Sequence, residues 1–101
     1  MTDSAPSPVV RDVPERSRFE ILVGDETAGF AAYVRRDDEV VLTHTVVDEA
    51  WEGHGLGGVL ARAAVLAVTE AGGTVVPRCP FIAAWLRKHP DSGARVRWPE
   101  D

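Results

Sequence analysis

Glu52-Gly53-His54-Gly55-Leu56-Gly57-Gly58 decides how this chain is read. The stretch follows a strand-like run, Val40-Val41-Leu42-Thr43-His44-Thr45-Val46-Val47, and precedes a long alanine-rich pattern. Four glycines between positions 53 and 58 let the backbone approach a ligand closely and leave its amides unshielded. A helix starting there adds free N–H groups and the positive end of its dipole. Strand, glycine turn and helix N-terminus together make an anion site, most often one for a pyrophosphate. The competing reading is a tight turn that needs only positive φ, which one or two glycines would satisfy.

Upstream, Arg18-Phe19-Glu20-Ile21-Leu22-Val23 alternates as a strand does, and Gly24-Asp25-Glu26 turns the chain. Thr27 to Val34 forms a second strand, Arg35-Arg36-Asp37-Asp38 a second turn, and Glu39 to Val47 a third strand. Short polar turns between such runs predict an antiparallel meander. Gly29 inside the second strand predicts a bulge or a close backbone approach.

Downstream, Leu56 to Ala71 carries polar groups only at Arg62, Thr69 and Glu70, which share one narrow helical stripe. A helix packed against protein on most sides is expected there, ended by Gly72-Gly73. Thr74-Val75-Val76-Pro77 reads as a short buried strand reached by a crossover. Cys79-Pro80 opens a second helix, Phe81 to about His89, with Pro90 after it. Arg95-Val96-Arg97-Trp98 is a candidate last edge strand. The expected layout is a flexible tail over 1–12 and one α/β domain over 13–99, its sheet mixed but mainly antiparallel, with two main helices.

At 101 residues the chain has room for one core. A formal net charge of -5 argues against nucleic acid, which demands a basic footprint. One cysteine gives neither an internal disulfide nor a cysteine zinc cluster, which fits a reducing cytoplasm. The three histidines have no ligand spacing, so no metal is expected. No apolar run approaches the roughly 20 residues of a membrane span, and Met1 to Pro8 has no signal-peptide pattern. A thin core leaves monomer and weak homodimer both open.

Gly53, Gly55 and Gly58 formally satisfy the dinucleotide fingerprint G-x-G-x-x-G. A Rossmann unit would also carry an acid at the end of the next strand, where Val75-Val76-Pro77-Arg78 has none. No Lys-Ser or Lys-Thr follows the glycines, so a P-loop is excluded too. Backbone amides without magnesium must hold the anion.

Val46-Val47, a short acidic spacer, the 52–58 loop, a long helix, a strand and a second helix resemble the acetyl-CoA-binding core of GCN5-related N-acetyltransferases. The very small branch of that superfamily is similar in further detail, through His44-Thr45, Cys79-Pro80-Phe81 and His89-Pro90. The resemblance covers roughly residues 19–91. It implies an acyl-CoA N-acyltransferase fold and transfer of acetyl from acetyl-CoA to a small amine or a lysine side chain. It also implies that Gly53, His54, Gly55, Leu56, Gly57 and Gly58 cradle the CoA pyrophosphate. The backbone of Val46 and Val47 would pair with the pantetheine arm, leaving the thioester between the third strand and Thr74–Pro77. The chain departs from the superfamily at Glu52, where Arg or Gln is usual, and at Trp85, where many larger members place a tyrosine acid. A CoA-binding module with little or no catalysis is the alternative.

Acyl transfer to an amine needs a base, an oxyanion stabiliser and a proton for the departing thiolate. His44 is the candidate base, since imidazole titrates near neutrality; strict alternation puts it on one face with Leu42 and Val46. A core histidine bound to a carbonyl is the competing role. Cys79, at a helix start beside the thioester gap, is a candidate nucleophile or proton donor, or else a small buried hydrophobe. His89, in the last turn of its helix, is expected to bond a carbonyl.

Overall fold

The computed structural model describes residues 7–99. Five strands lie in sequence order: β1 Val9–Val13, β2 Arg18–Val23, β3 Glu26–Arg36, β4 Glu39–Val47 and β5 Thr74–Pro77. Helix α1, Leu56–Glu70, links β4 to β5, and α2, Pro80–Lys88, follows β5. Strands β1 to β4 pair antiparallel, and β5 pairs parallel with β4 through Glu39↔Thr74 to Leu42↔Pro77. This is the mixed, mainly antiparallel α/β sheet expected of the chain. No helix among the described residues is long and apolar enough to cross a membrane.

The domain begins earlier than residue 13. Val9 to Asp12, read as tail, pair with Leu22 to Phe19 as an edge strand. The strand is mostly exposed, so its side chains carry no burial alternation, and Pro8 precedes it as edges tolerate. Tertiary contacts hold it: Tyr33 Oη donates to Asp12 Oδ1 at 2.5 Å and Arg35 to Asp12 Oδ2 at 3.0 Å, both reaching across β2. Burial, and then the bond to Asp12, push the Tyr33 hydroxyl above its ordinary value. Residues 1–6 of the expected tail lie outside the described residues.

One core joins Phe19, Ile21 and Leu42 of the sheet to Leu60 and Val65 of α1 and Ile82 of α2. Leu56, Leu60, Ala64 and Val68 recur every four residues and, with Ala61 and Val65, make the inward stripe of α1. The expectation that protein surrounds α1 on most sides is corrected. Val59 is 40% exposed and Ala67 lies open, because among the described residues no second layer covers that side of the helix. Alanines make that outward face possible at small apolar area.

Gly29 makes the close approach expected of it and stands next to a bulge. Ile21 pairs with Gly29 but Leu22 with Thr27, so Ala28 is the extra residue of a bulge. A Cβ at Gly29 would stand 2.5 Å from Val46 O, so β3 and β4 meet there with no space for a side chain.

The C-terminal segment forms one parallel bridge, Val75↔Val96, rather than a full edge strand. Arg97 anchors it, bonding Glu39 with Nε at 2.5 Å and Nη2 at 2.8 Å. That bond holds the Glu39 carboxyl below its ordinary 4.5. A carboxyl lowered on folding contributes stability above its unfolded value and loses it as pH falls through the folded value. The Arg97 Nε–H resonance is therefore expected to shift on acidification with a midpoint below 4.5. A midpoint at or above that value would mean the pair does not form in solution.

Candidate functional site

The parallel pairing of β5 with β4 stops at Leu42, whose carbonyl accepts from both Arg78 N at 3.0 Å and Cys79 N at 2.9 Å. Beyond it, among the described residues, no strand pairs with Thr43–Val47 on that side, and the sheet opens. A bulge shapes the splayed edge. Ala32 pairs with His44 but Tyr33 with Leu42, leaving Thr43 unpaired, and its hydroxyl donates to Ala32 O at 3.2 Å.

The bulge resets the alternation. Thr45, opposite buried Ala31, takes the face of Leu42, while His44 and Val46 take the other face with Phe30. The expectation that His44 shares a face with Leu42 is thereby corrected. His44 is exposed and meets the Phe30 ring edge-on at 6.0 Å, with Nδ1 3.5 Å from Thr43 Oγ1. It is no core histidine bound to a carbonyl.

Thr45 instead meets Cys79, its Oγ1 3.4 Å from Sγ. Cys79 is 3% exposed and packs with the core at the first residue before α2. The structure thus joins Cys79 to Thr45 and leaves His44 on the opposite face of β4. Thr45 carried a sequence signal only as the neighbour of His44.

Asp48 N donates to Ala28 O at 2.8 Å. An antiparallel ladder alternates every residue, which turns the peptide groups of Val46 toward β3 and those of Thr45 and Val47 toward the open edge. A strand-like ligand would therefore pair with Thr45 and Val47, and Val46 would offer only its side chain.

The open edge runs into a cleft of about 350 Å³ walled by Val47, Trp51, the glycine loop and Phe81. Gly53 and Gly55 adopt φ of 87° and 72°, and a Cβ on either would meet nothing within 4 Å. Gly55 is the N-cap of α1 and supplies no side-chain bond; the first helical bond closes at Val59 N to Gly55 O, 3.4 Å. The amides of Leu56, Gly57 and Gly58 consequently have no helical acceptor. Ser, Thr or Asp would normally cap them. A glycine cap leaves them without a side-chain partner, and an anion is what a helix N-terminus favours.

Gly57 has a different reason. A Cβ there would stand 2.8 Å from Phe81 Cζ, so the missing side chain makes room for the α2 ring. Glu52 and His54 are exposed at the mouth, and Trp51 meets the His54 ring at 5.6 Å. His89 Nδ1 lies 2.8 Å from Trp85 O, the carbonyl contact expected of it, and its ring stacks on Trp85 at 4.2 Å. Among the described residues no three His, Cys, Asp or Glu side chains group as metal ligands.

A model of the GCN5-related N-acetyl-transferase family matches residues 18–96. The chain belongs to this family. GCN5-related N-acetyltransferases generally take acetyl from acetyl-CoA and pass it to an amine, so the match supports acetyltransferase activity in general terms. The fold agrees with a solution structure of a GCN5-like protein from Staphylococcus aureus. The two share 22% identity at a TM-score of 0.66, over 91% of this chain and 90% of the other. No curated protein matches the chain in sequence.

Proposed function

We propose that this member of the family is an acetyl-CoA-dependent N-acetyltransferase of the cytoplasm, moving acetyl to a small amine or an exposed lysine. The observation that carries the reading is the run of the splayed β4 edge into the uncapped N-terminus of α1. A thioester cofactor with a peptide-like arm and a pyrophosphate matches both halves: the arm adds to Thr45 and Val47 as a strand, and the phosphates meet the first-turn amides.

In the reaction the neutral amine attacks the thioester carbon, the C–S bond breaks, and the CoA thiolate takes up a proton. His44, on the open face of β4, is the proposed base for the amine. Cys79 is the proposed proton donor at the sulfur, with the Thr45 hydroxyl 3.4 Å from its Sγ to hold the thiol in place beside the gap. Trp85 cannot supply that proton; its ring stacks on His89 and indole is no acid near neutrality.

Calorimetry with acetyl-CoA, followed by release of free CoA thiol across an amine panel, tests the reading. Binding and amine-dependent release are expected, with partial turnover remaining in Cys79→Ala. Binding without release for any amine favours the alternative, a CoA-binding module, which Trp85 at the acid position motivates. Absence of binding at millimolar ligand removes both. An acetylated Cys79 that passes its acetyl group to the amine at the turnover rate would replace direct attack by a covalent route.

A further inference from the structure

Strands β2 to β4 turn Phe19, Ile21, Ala31 and Leu42 into the core, and their other face carries a second set of side chains in register. One row across it is Val13, Arg18, Ala32 and His44; the next is Arg11, Glu20, Phe30 and Val46. Cross-strand partners share a face, so the groups of the two rows stand side by side.

Arg18 and His44 converge on one ring. The guanidinium carbon of Arg18 lies 4.4 Å from the Phe30 ring centre, and the His44 ring meets the same ring at 6.0 Å. Guanidinium and imidazole are therefore no more than about 10 Å apart, the width of two strand spacings. Ala32 stands between them in its row, flanked on the same face of β3 by Phe30 and by Val34, which is 50% exposed. A lone methyl between larger side chains leaves a trough, with a cation at one end and the proposed base at the other.

The cationic end is held in place and net positive. Glu20, 8% exposed, accepts from Arg18 Nε at 2.8 Å and from Arg16 at 3.5 Å, and Arg11 is its register partner on β1. Three arginines thus stand against one carboxylate, in a chain of net charge -5. Glu20 takes the Nε of Arg18, while its Nη groups bond nothing among the described residues.

We propose that this trough takes the amine acceptor, and that the acceptor is a free α-amino acid with an apolar side chain. Its carboxylate lies on Arg18, its amine at His44 and its side chain against Phe30 and Val34. The inference rests on the N-acetyltransferase reading above and selects a small amine over a protein lysine. Distance and charge carry it. Hydrogen bonds of roughly 3 Å at each end of the trough leave the carboxylate and the amine about one carbon apart. A guanidinium suits a carboxylate through its planar donor fork, and a lysine side chain brings no anion to it. The reaction is that given above, with the α-nitrogen as nucleophile and its proton passing to His44.

Release of CoA thiol from acetyl-CoA with leucine and with leucinamide tests the assignment on the intact chain. The amide lacks the anion, and its less basic amine is the more reactive at neutral pH, so reactivity alone favours it. Leucine is nevertheless expected to have a kcat/KM about tenfold higher, the scale of one charge-assisted contact. In Arg18→Gln the ratio should fall to about one or below, and in Arg18→Lys it should lie between. Circular dichroism accompanies each variant, because Arg18 also pairs with Glu20; Arg18→Lys keeps the charge and decides the matter if Arg18→Gln does not fold. A parent ratio of one or below, or a ratio that persists in every folded variant, overturns the inference while the N-acetyltransferase reading stands. Turnover of other amines but of neither of these two does the same. Turnover of no amine at all overturns both.

Discussion

Gly29→Val is expected to destabilise the protein by about 3 kcal/mol, the upper range for overpacking against atoms that cannot yield. The new Cβ would meet Val46 O at 2.5 Å and Val47 Cα at 3.1 Å, both backbone atoms of β4. Relief requires β4 to move away from β3, which breaks ladder bonds at the stretch whose outer edge is Thr45 and Val47. Loss of stability and loss of acetyl-CoA affinity should therefore appear together. Urea unfolding with parallel calorimetry measures both. A loss below 1 kcal/mol would mean that the strands accommodate a side chain, and that their close approach is not what fixes the edge.

Gly55→Val is expected to reduce acetyl-CoA affinity about a hundredfold while costing about 1–3 kcal/mol of stability. The position needs φ of 72°, which a β-branched residue scarcely adopts, yet the space around its Cβ is empty. Strain is thus local, and its consequence is to turn the Leu56–Gly58 amides and to place a branched side chain over them. Gly57→Val should behave differently: its Cβ would strike the Phe81 ring, so the lost affinity would follow displacement of α2. Circular dichroism beside calorimetry distinguishes the two. Parent-like affinity in Gly55→Val would locate the phosphates away from this turn.

Much of this was legible in the chain. The meander, the glycine loop, the crossover helix and the second helix all rest on local signals: alternation, four-residue periodicity, turn residues and a proline at a helix start. Strand β2 runs over the six residues whose alternation marked it, and α1 begins at the leucine inside the glycine loop. Such signals survive folding because each is set by a residue's own backbone preferences and by burial of one face. Motif order then carried the resemblance, through the loop, Cys79-Pro80-Phe81 and His89-Pro90, and the family match over residues 18–96 agrees with it.

What tertiary structure alone decided lies where two segments must agree. Thr43 is a bulge only because β3 and β4 slip by one residue there, and that slip moves His44 to the open face and brings Thr45 to Cys79, 34 residues away. Strand β1 exists through pairing with β2 and the Asp12 contacts to β3, neither of which leaves a periodic trace in an exposed edge. Gly57 reads as one more loop glycine until Phe81 is seen to need its space. A residue's neighbours in sequence constrain its dihedrals, but which face it occupies and what it touches are set by register, and register belongs to the pair of strands.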